Sequence, residues 1–196
     1  SQPTQSLTGI DKWYKPIFEA IVAKKVIEIS YHTFGKDVKT VVVSPYHLKQ
    51  YNNRWFLIAK RKDFDKMSNY AIDRIKEIKE TTKVFEPLDD DFDFEEFFSD
   101  VVGVSVLEGA PVENVILHVT DKAWTYITTK PLHESQSVLN SKQTDGKWEV
   151  RLKVQDNYEL RSLLRSFGDS VEVIAPATLR QEMKEMARRV FQMYND

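Results

Sequence analysis

Ile27-Glu28-Ile29-Ser30-Tyr31, Thr40-Val41-Val42-Val43-Ser44, Arg54-Trp55-Phe56-Leu57-Ile58-Ala59 and Tyr70-Ala71-Ile72 are short runs of β-branched and aromatic residues packed into one small region of the chain. The first alternates, with Ile27, Ile29 and Tyr31 on one face and Glu28, Ser30 and His32 on the other, the period-2 pattern of a half-buried strand. Turn signals separate the runs: Gly35 and Asp37, then Asn52-Asn53, then the polar loop from Asp63 to Asn69, while Pro45 reads as a stop. No stretch between them is long enough for a helical crossover. Four or five short strands of this kind predict an antiparallel meander curled into a small barrel.

Upstream, Ile10, Trp13, Tyr14, Ile17, Phe18 and Ile21 recur at helical spacing. They predict an amphipathic helix over 10–23, with Pro16 in its first turn or at a kink. Downstream, Glu86-Pro87-Leu88-Asp89-Asp90-Asp91 reads as a solvated acidic linker, with a mimic of nucleic-acid charge folded over the basic barrel as the alternative, and Phe94, Phe97, Phe98 and Val101 as the stripe of a short helix. Beyond Pro111 the pattern predicts strands at 115–119, 135–139, 148–154 and 171–174. Helices are expected at 121–129, 157–166 and 177–194, with Gly168 ending the second. The order βαββαβ plus a terminal helix suggests a ferredoxin-like sandwich. The expected organisation is thus a lead-in at 1–26, a β-barrel domain at 27–85, a linker with a short helix at 86–110 and an α+β domain at 111–196. Ser1 to Ser6 reads as a ragged start, as at the edge of a piece cut from a longer protein.

The formal charge of −2 gives no whole-chain attraction to nucleic acid, but the charges are unevenly placed. Residues 27–80 hold eleven Lys and Arg against seven Asp and Glu, whereas 86–100 hold eight acids and no base. The absence of cysteine excludes disulfides, thiolate metal sites and thiol catalysis, and fits a reducing cytoplasm. No apolar run approaches the ~20 residues of a membrane span. The four histidines have no metal-ligand spacing, so neither metal nor cofactor is expected.

Four motifs in order, Ile29-Ser30-Tyr31, Val43-Ser44-Pro45-Tyr46-His47-Leu48, Arg54-Trp55-Phe56-Leu57-Ile58-Ala59 and Tyr70-Ala71-Ile72-Asp73-Arg74-Ile75, resemble those of the bacterial WYL-domain family, with Phe56 in place of the tyrosine of the name-giving triplet. The second half resembles the WYL C-terminal extension through His133-Glu134-Ser135-Gln136, Asp145-Gly146, Gly168 and Val171-Glu172-Val173-Ile174-Ala175-Pro176. The resemblance implies an Sm or SH3-like barrel acting as the effector-sensing part of a transcriptional regulator. It also implies a winged helix-turn-helix head, for which this chain lacks room, and single-stranded nucleic acid or nucleotides as ligands. Two departures stand out: Ala71 occupies a position that is basic in many members, and Phe56 has no hydroxyl to donate.

Within that frame Tyr31 and Tyr70 are expected at a barrel rim as a stacking platform for bases. Arg74 is expected to grip a phosphate or carboxylate in a bidentate manner, with an internal ion pair as its competitor. Arg61 is the chosen cation of Lys60-Arg61-Lys62, and His47 the histidine expected to face the pocket. Trp55 is divided evenly between core packing and stacking on ligand; Phe56 and Leu57 are expected to pack. Ser44, His47 and Asp73 supply triad residue types, but no nucleophile elbow or phosphate-cradling loop accompanies them, so catalysis is not expected. The competing expectation is a protein-interaction module that pairs subunits into a homodimer through the second domain.

Overall fold

The structure, a computed structural model, describes residues 5–33, 35, 37–141 and 145–196, with side chains from Ile10 onward. Ser1 to Thr4 of the expected ragged start, and two residues of the expected turn around Gly35, lie outside those described. The chain divides into two compact units, Ser1–Phe94 and Glu95–Asp196.

The first unit opens with helix α1 (Gln5–Ala23). Trp13, Ile17, Ala20 and Ile21 form its inward stripe against the core of the following sheet, as their spacing of three and four residues requires. Pro16 lies inside this helix rather than in its first turn, where it forfeits a bond to the carbonyl four residues earlier. Five strands follow: β1 (Ile27–His32), β2 (Val38–Tyr51), β3 (Arg54–Arg61), β4 (Met67–Ala71) and β5 (Ile75–Glu80), hydrogen-bonded in the order β4-β3-β2-β1-β5. Every neighbouring pair is antiparallel. Asn52 and Asn53 both have positive φ, 51° and 61°, and make the two-residue turn that matches the twist of the hairpin β2–β3.

Pro45 does not stop its strand. It sits at a register shift between Pro45 and His47, paired with Ala59, and β2 runs on for 14 residues in all. A bulge is one of the few places in a sheet that accepts the missing N–H.

Among the described residues no ladder joins β4 to β5, so the sheet is not a closed barrel. It must nevertheless curl. Laid flat, the edges of a five-stranded sheet stand about 19 Å apart, yet β4 connects to β5 through the three-residue 3-10 turn Ile72–Arg74, which advances only about 6 Å. The curl brings Tyr70 of β4 into edge contact with Tyr31 of β1, ring centroids 5.2 Å apart. The enclosed core consists of Ile27, Ile29, Val43, Leu57, Ala59, Tyr70, Ile72 and Ile75, sealed by Ile17 and Ala20 of α1. Each fully buried Ile or Leu contributes about 1.5–3 kcal/mol.

The second unit contains α2 (Phe94–Phe97, which begins at the division), β6 (Glu113–Val119), α3 (Asp121–Thr129), β7 (Ser137–Asn140), β8 (Trp148–Val154), α4 (Tyr158–Arg165), β9 (Val171–Ala175) and α5 (Ala177–Met193). Its antiparallel sheet has the order β7-β8-β6-β9. Val115, Leu117, Val119, Val150, Leu152, Val154, Val171 and Val173 are buried at alternate positions, and Ala123, Ile127, Leu160 and Leu164 are the buried residues of α3 and α4. Asn157, 3% exposed, organises this unit: its Oδ1 accepts from Leu160 N at 2.9 Å to cap α4, and its Nδ2 donates to the carbonyls of Val102 and Ser105. Among the described residues no helix is long and apolar enough to cross a membrane.

Candidate ligand-binding site

Alternation along β3 divides the six sequence-predicted residues between environments. Trp55, Leu57, Ala59 and Arg61 share the face that looks into the curled sheet, and Tyr70, opposite Leu57, looks the same way. Leu57 is fully buried, as expected. Trp55 packs beneath α1, with its ring edge-on to Tyr14 at 5.2 Å. Tyr31 and Tyr70 meet as described above, and Arg61 lies near enough to both for its charge to interact with their hydroxyls.

Tyr70 is only 5% exposed. Burial pushes its hydroxyl up to about 12, with Ser68 and Arg61 offsetting part of the effect. Yet Tyr70 Oη has no hydrogen bond of normal geometry among the described residues. Arg61 holds Asp63 through two hydrogen bonds of 3.0 and 2.8 Å, and its guanidinium lies over the exposed Phe64 ring at 5.6 Å. A cleft of about 370 Å³ extends along Lys60 to Asp65 and reaches Glu86.

The opposite face of β2 and β3 carries Ser44, His47, Lys49, Phe56, Ile58 and Lys60, set side by side by the pairs Ser44↔Lys60, His47↔Ile58 and Lys49↔Phe56. Phe56, expected in the core, is here instead, between Lys49 and Ala71 and under the Arg54 guanidinium at 5.8 Å. The register explains the difference: a residue next to the interior-facing Leu57 must point outward.

This face is covered by the segment read from sequence as a solvated linker. Glu86 donates its backbone N–H to Ser44 Oγ at 3.0 Å, accepts from Tyr46 Oη through its carbonyl at 2.6 Å, and receives Lys60 Nζ on its carboxylate at 2.8 Å. Ser44 is wholly buried beneath it. Phe85 packs edge-on against Tyr46, Lys62 Nζ donates to the carbonyl of Val84, and the Phe94 ring lies flat on the His47 imidazole, 4.4 Å between centroids and 7° from parallel. Phe92 braces Phe94 at 4.8 Å. Burial and the charge of Lys49 hold the His47 ring below its ordinary pKa, and burial does the same to Lys49. Burial raises the Tyr46 phenol, while the hydrogen bond that Lys60 donates to Glu86 raises Lys60.

Arg74 ends the 3-10 turn, partly buried. The neighbouring acid, Asp73, is engaged by Arg54 in a bidentate pair of 3.0 and 2.7 Å. The structure therefore groups Tyr31, Tyr70 and Arg61, sets Trp55 under α1, and places His47 on the covered face. Sequence reasoning did not single out Ser44, Tyr46, Lys60, Glu86 or Phe94 as a cluster. The available signal was the phenylalanines at 85, 92 and 94 within an acidic stretch, since solvated linkers are poor in aromatics. Among the described residues no group of three or more His, Asp or Glu is arranged to hold a metal ion.

Comparison with known proteins agrees with this architecture. The WYL domain matches residues 12–80 and the WCX domain residues 111–191. No curated protein matches the chain significantly. Among solved structures, one titled as a CRISPR Cas-related protein superposes with a TM-score of 0.50 at 15% identity, over 96% of this chain and 52% of the other. Proteasome accessory factor B/C (PafBC) of Arthrobacter aurescens gives a TM-score of 0.40 at 19% identity, over 86% of this chain and 25% of its own. The chain thus spans about a quarter to a half of the length of these two proteins. Its ordered motifs and both domain matches lead to one conclusion: this chain carries a WYL domain at 12–80 followed by a WCX domain at 111–191.

Proposed function

We propose that this chain is the effector-sensing portion of a bacterial transcriptional regulator, that its WYL domain binds an anionic effector of the single-stranded nucleic acid or nucleotide class, and that it performs no catalysis. The observation that carries the reading is the convergence of Tyr31, Tyr70 and Arg61, with Phe64 beside the arginine. Aromatic faces next to a guanidinium are what stacked bases and phosphates require. On this reading the curled first sheet is an Sm-like barrel and the second unit a ferredoxin-like sandwich. The DNA-binding head belongs to the full-length protein, which works in the cytoplasm.

Titration of the 196-residue chain with short single-stranded DNA and with mononucleotides, at low and moderate salt, tests the proposal. Binding that weakens with salt is expected, with a loss on Arg74→Ala. Absence of binding by either class refutes it.

A second reading, a homodimerising interaction module without a small ligand, is favoured by the exposed apolar residues Val190, Phe191, Met193 and Tyr194 at the end of α5. Light scattering that gives a dimer, together with no ligand affinity, selects it.

A further inference from the structure

We propose that residues 84–94 are a built-in ligand mimic: the Glu86 carboxylate on Lys60 stands where a phosphate binds, and the Phe94 ring on His47 stands where a nucleobase stacks, so the covered face is a mononucleotide site. The inference rests on the effector class proposed above and adds to the interior-facing tyrosines a site of its own, on the outer face of β2 and β3.

Three features support the assignment. First, the face presents a flat ring and a cation at a defined spacing. The pair His47↔Ile58 is followed two residues along β3 by Ser44↔Lys60, so His47 and Lys60, on neighbouring strands, stand about 8 Å apart along the diagonal, a span on the scale of a base and its 5′-phosphate joined by one ribose. Second, the occupants of those positions have the matching chemistry. A carboxylate accepts Lys60 Nζ at 2.8 Å, and a planar ring lies within 7° of parallel to the imidazole. Third, the segment that carries these two side chains has anchors of its own, the Glu86 N–H and carbonyl on Ser44 and Tyr46, the Val84 carbonyl on Lys62 and the Phe85 ring on Tyr46. Replacing the side-chain contacts with an external ligand therefore need not unfold the sheet beneath. Lys49 flanks His47 on its other side, extending the cationic track on which a phosphate would be drawn in.

A mimic that occupies its own site lowers apparent affinity by the fraction of molecules in which the site is open. Removing the mimic must therefore tighten binding. The test is isothermal titration of the 196-residue chain with adenosine 5′-monophosphate, adenosine and inorganic phosphate, for wild type, Glu86→Gln, Phe94→Ala and Lys60→Gln, with circular dichroism confirming the fold of each. Glu86→Gln and Phe94→Ala are each expected to bind the monophosphate about tenfold or more tightly than wild type. Lys60→Gln should not bind it, and adenosine or phosphate alone should bind far more weakly. In wild type, saturating monophosphate should accelerate amide hydrogen exchange across 84–94.

Wild-type binding that is unchanged or weakened by both mimic substitutions, or that survives Lys60→Gln, overturns the mimic while leaving the effector reading in place. No binding of the monophosphate by wild type or by either mimic variant, with single-stranded DNA also unbound, removes both.

Discussion

Replacing Tyr70 by Phe is expected to make the first unit more stable. The side chain is 5% exposed and its buried hydroxyl has no hydrogen bond of normal geometry among the described residues. An orphaned polar group of this kind costs about 1–3 kcal/mol, whereas an apolar replacement of the same shape carries no such penalty. Because Ser68 and Arg61 partly compensate the oxygen, the lower end applies, a gain of about 1 kcal/mol. For a unit the size of Ser1–Phe94 that corresponds to a rise of about 4–8 °C in Tm. Urea unfolding of the two proteins at neutral pH, followed by tryptophan fluorescence, measures the difference.

Alkaline titration provides an independent check. The folded hydroxyl ionises near 12 and the unfolded one near 10. The wild-type contribution is therefore fully present below pH 10 and lost as pH rises through about 12, a loss the variant lacks. The stability gap between them should widen in that window. A variant less stable than wild type at neutral pH would refute the reasoning, since it would mean that the hydroxyl is satisfied. A stabilised variant that binds effector worse would mark Tyr70 as a residue kept for function at a cost in stability.

Other outcomes follow from the same structure. His47 has a folded pKa below its unfolded value of 6.5, so the unfolded state takes up its proton first. Stability should fall as pH drops through 6.5 toward the lower folded value, and His47→Gln should flatten that part of the curve in urea midpoints. Asn157→Ala removes a helix cap and leaves the Val102 and Ser105 carbonyls without their donor, for a loss of about 3 kcal/mol in the unfolding of the second unit. Gly103 has φ of +82°, and an added Cβ would stand 2.6 Å from Glu159 Cγ. Gly103→Ala should therefore cost about 2 kcal/mol or more by calorimetry, since Glu159 Oε1 is pinned by Val104 N and Ser105 Oγ.

The second unit was the more legible from sequence. Asp121–Thr129 and Trp148–Val154 have the observed bounds, because a threonine cap and strict alternation mark them locally. In the first unit, β2 was read short because proline is normally excluded from strands, and only the partner register reveals the bulge that admits it. Strand β5 passed without notice since Ile75 and Ile78 are its only apolar residues among Lys76, Glu77, Lys79 and Glu80. Of the candidate site, Tyr31, Tyr70 and Arg61 could be named from motif order. Their convergence depends on the curl that the three-residue link between β4 and β5 enforces, and no local pattern encodes that. In the connector, Asp89, Asp90 and Asp91 are exposed, whereas Glu86 and the rings of Phe85 and Phe94 lie on the sheet, a difference that its eight acids hide from a reading by charge alone.

The bulge after Pro45 acts as a phase switch. Before it, odd-numbered residues of β2 such as Val43 face the interior; after it, even-numbered ones such as Leu48 do, with Tyr46 as the uncounted step. His47 and Lys49 owe their outward position to the bulge that takes up that one extra residue. A regular strand of the same residues would turn the imidazole toward the oily side and Leu48 toward water, dissolving the covered face while preserving every residue that composes it. In this strand, length carries information that composition does not.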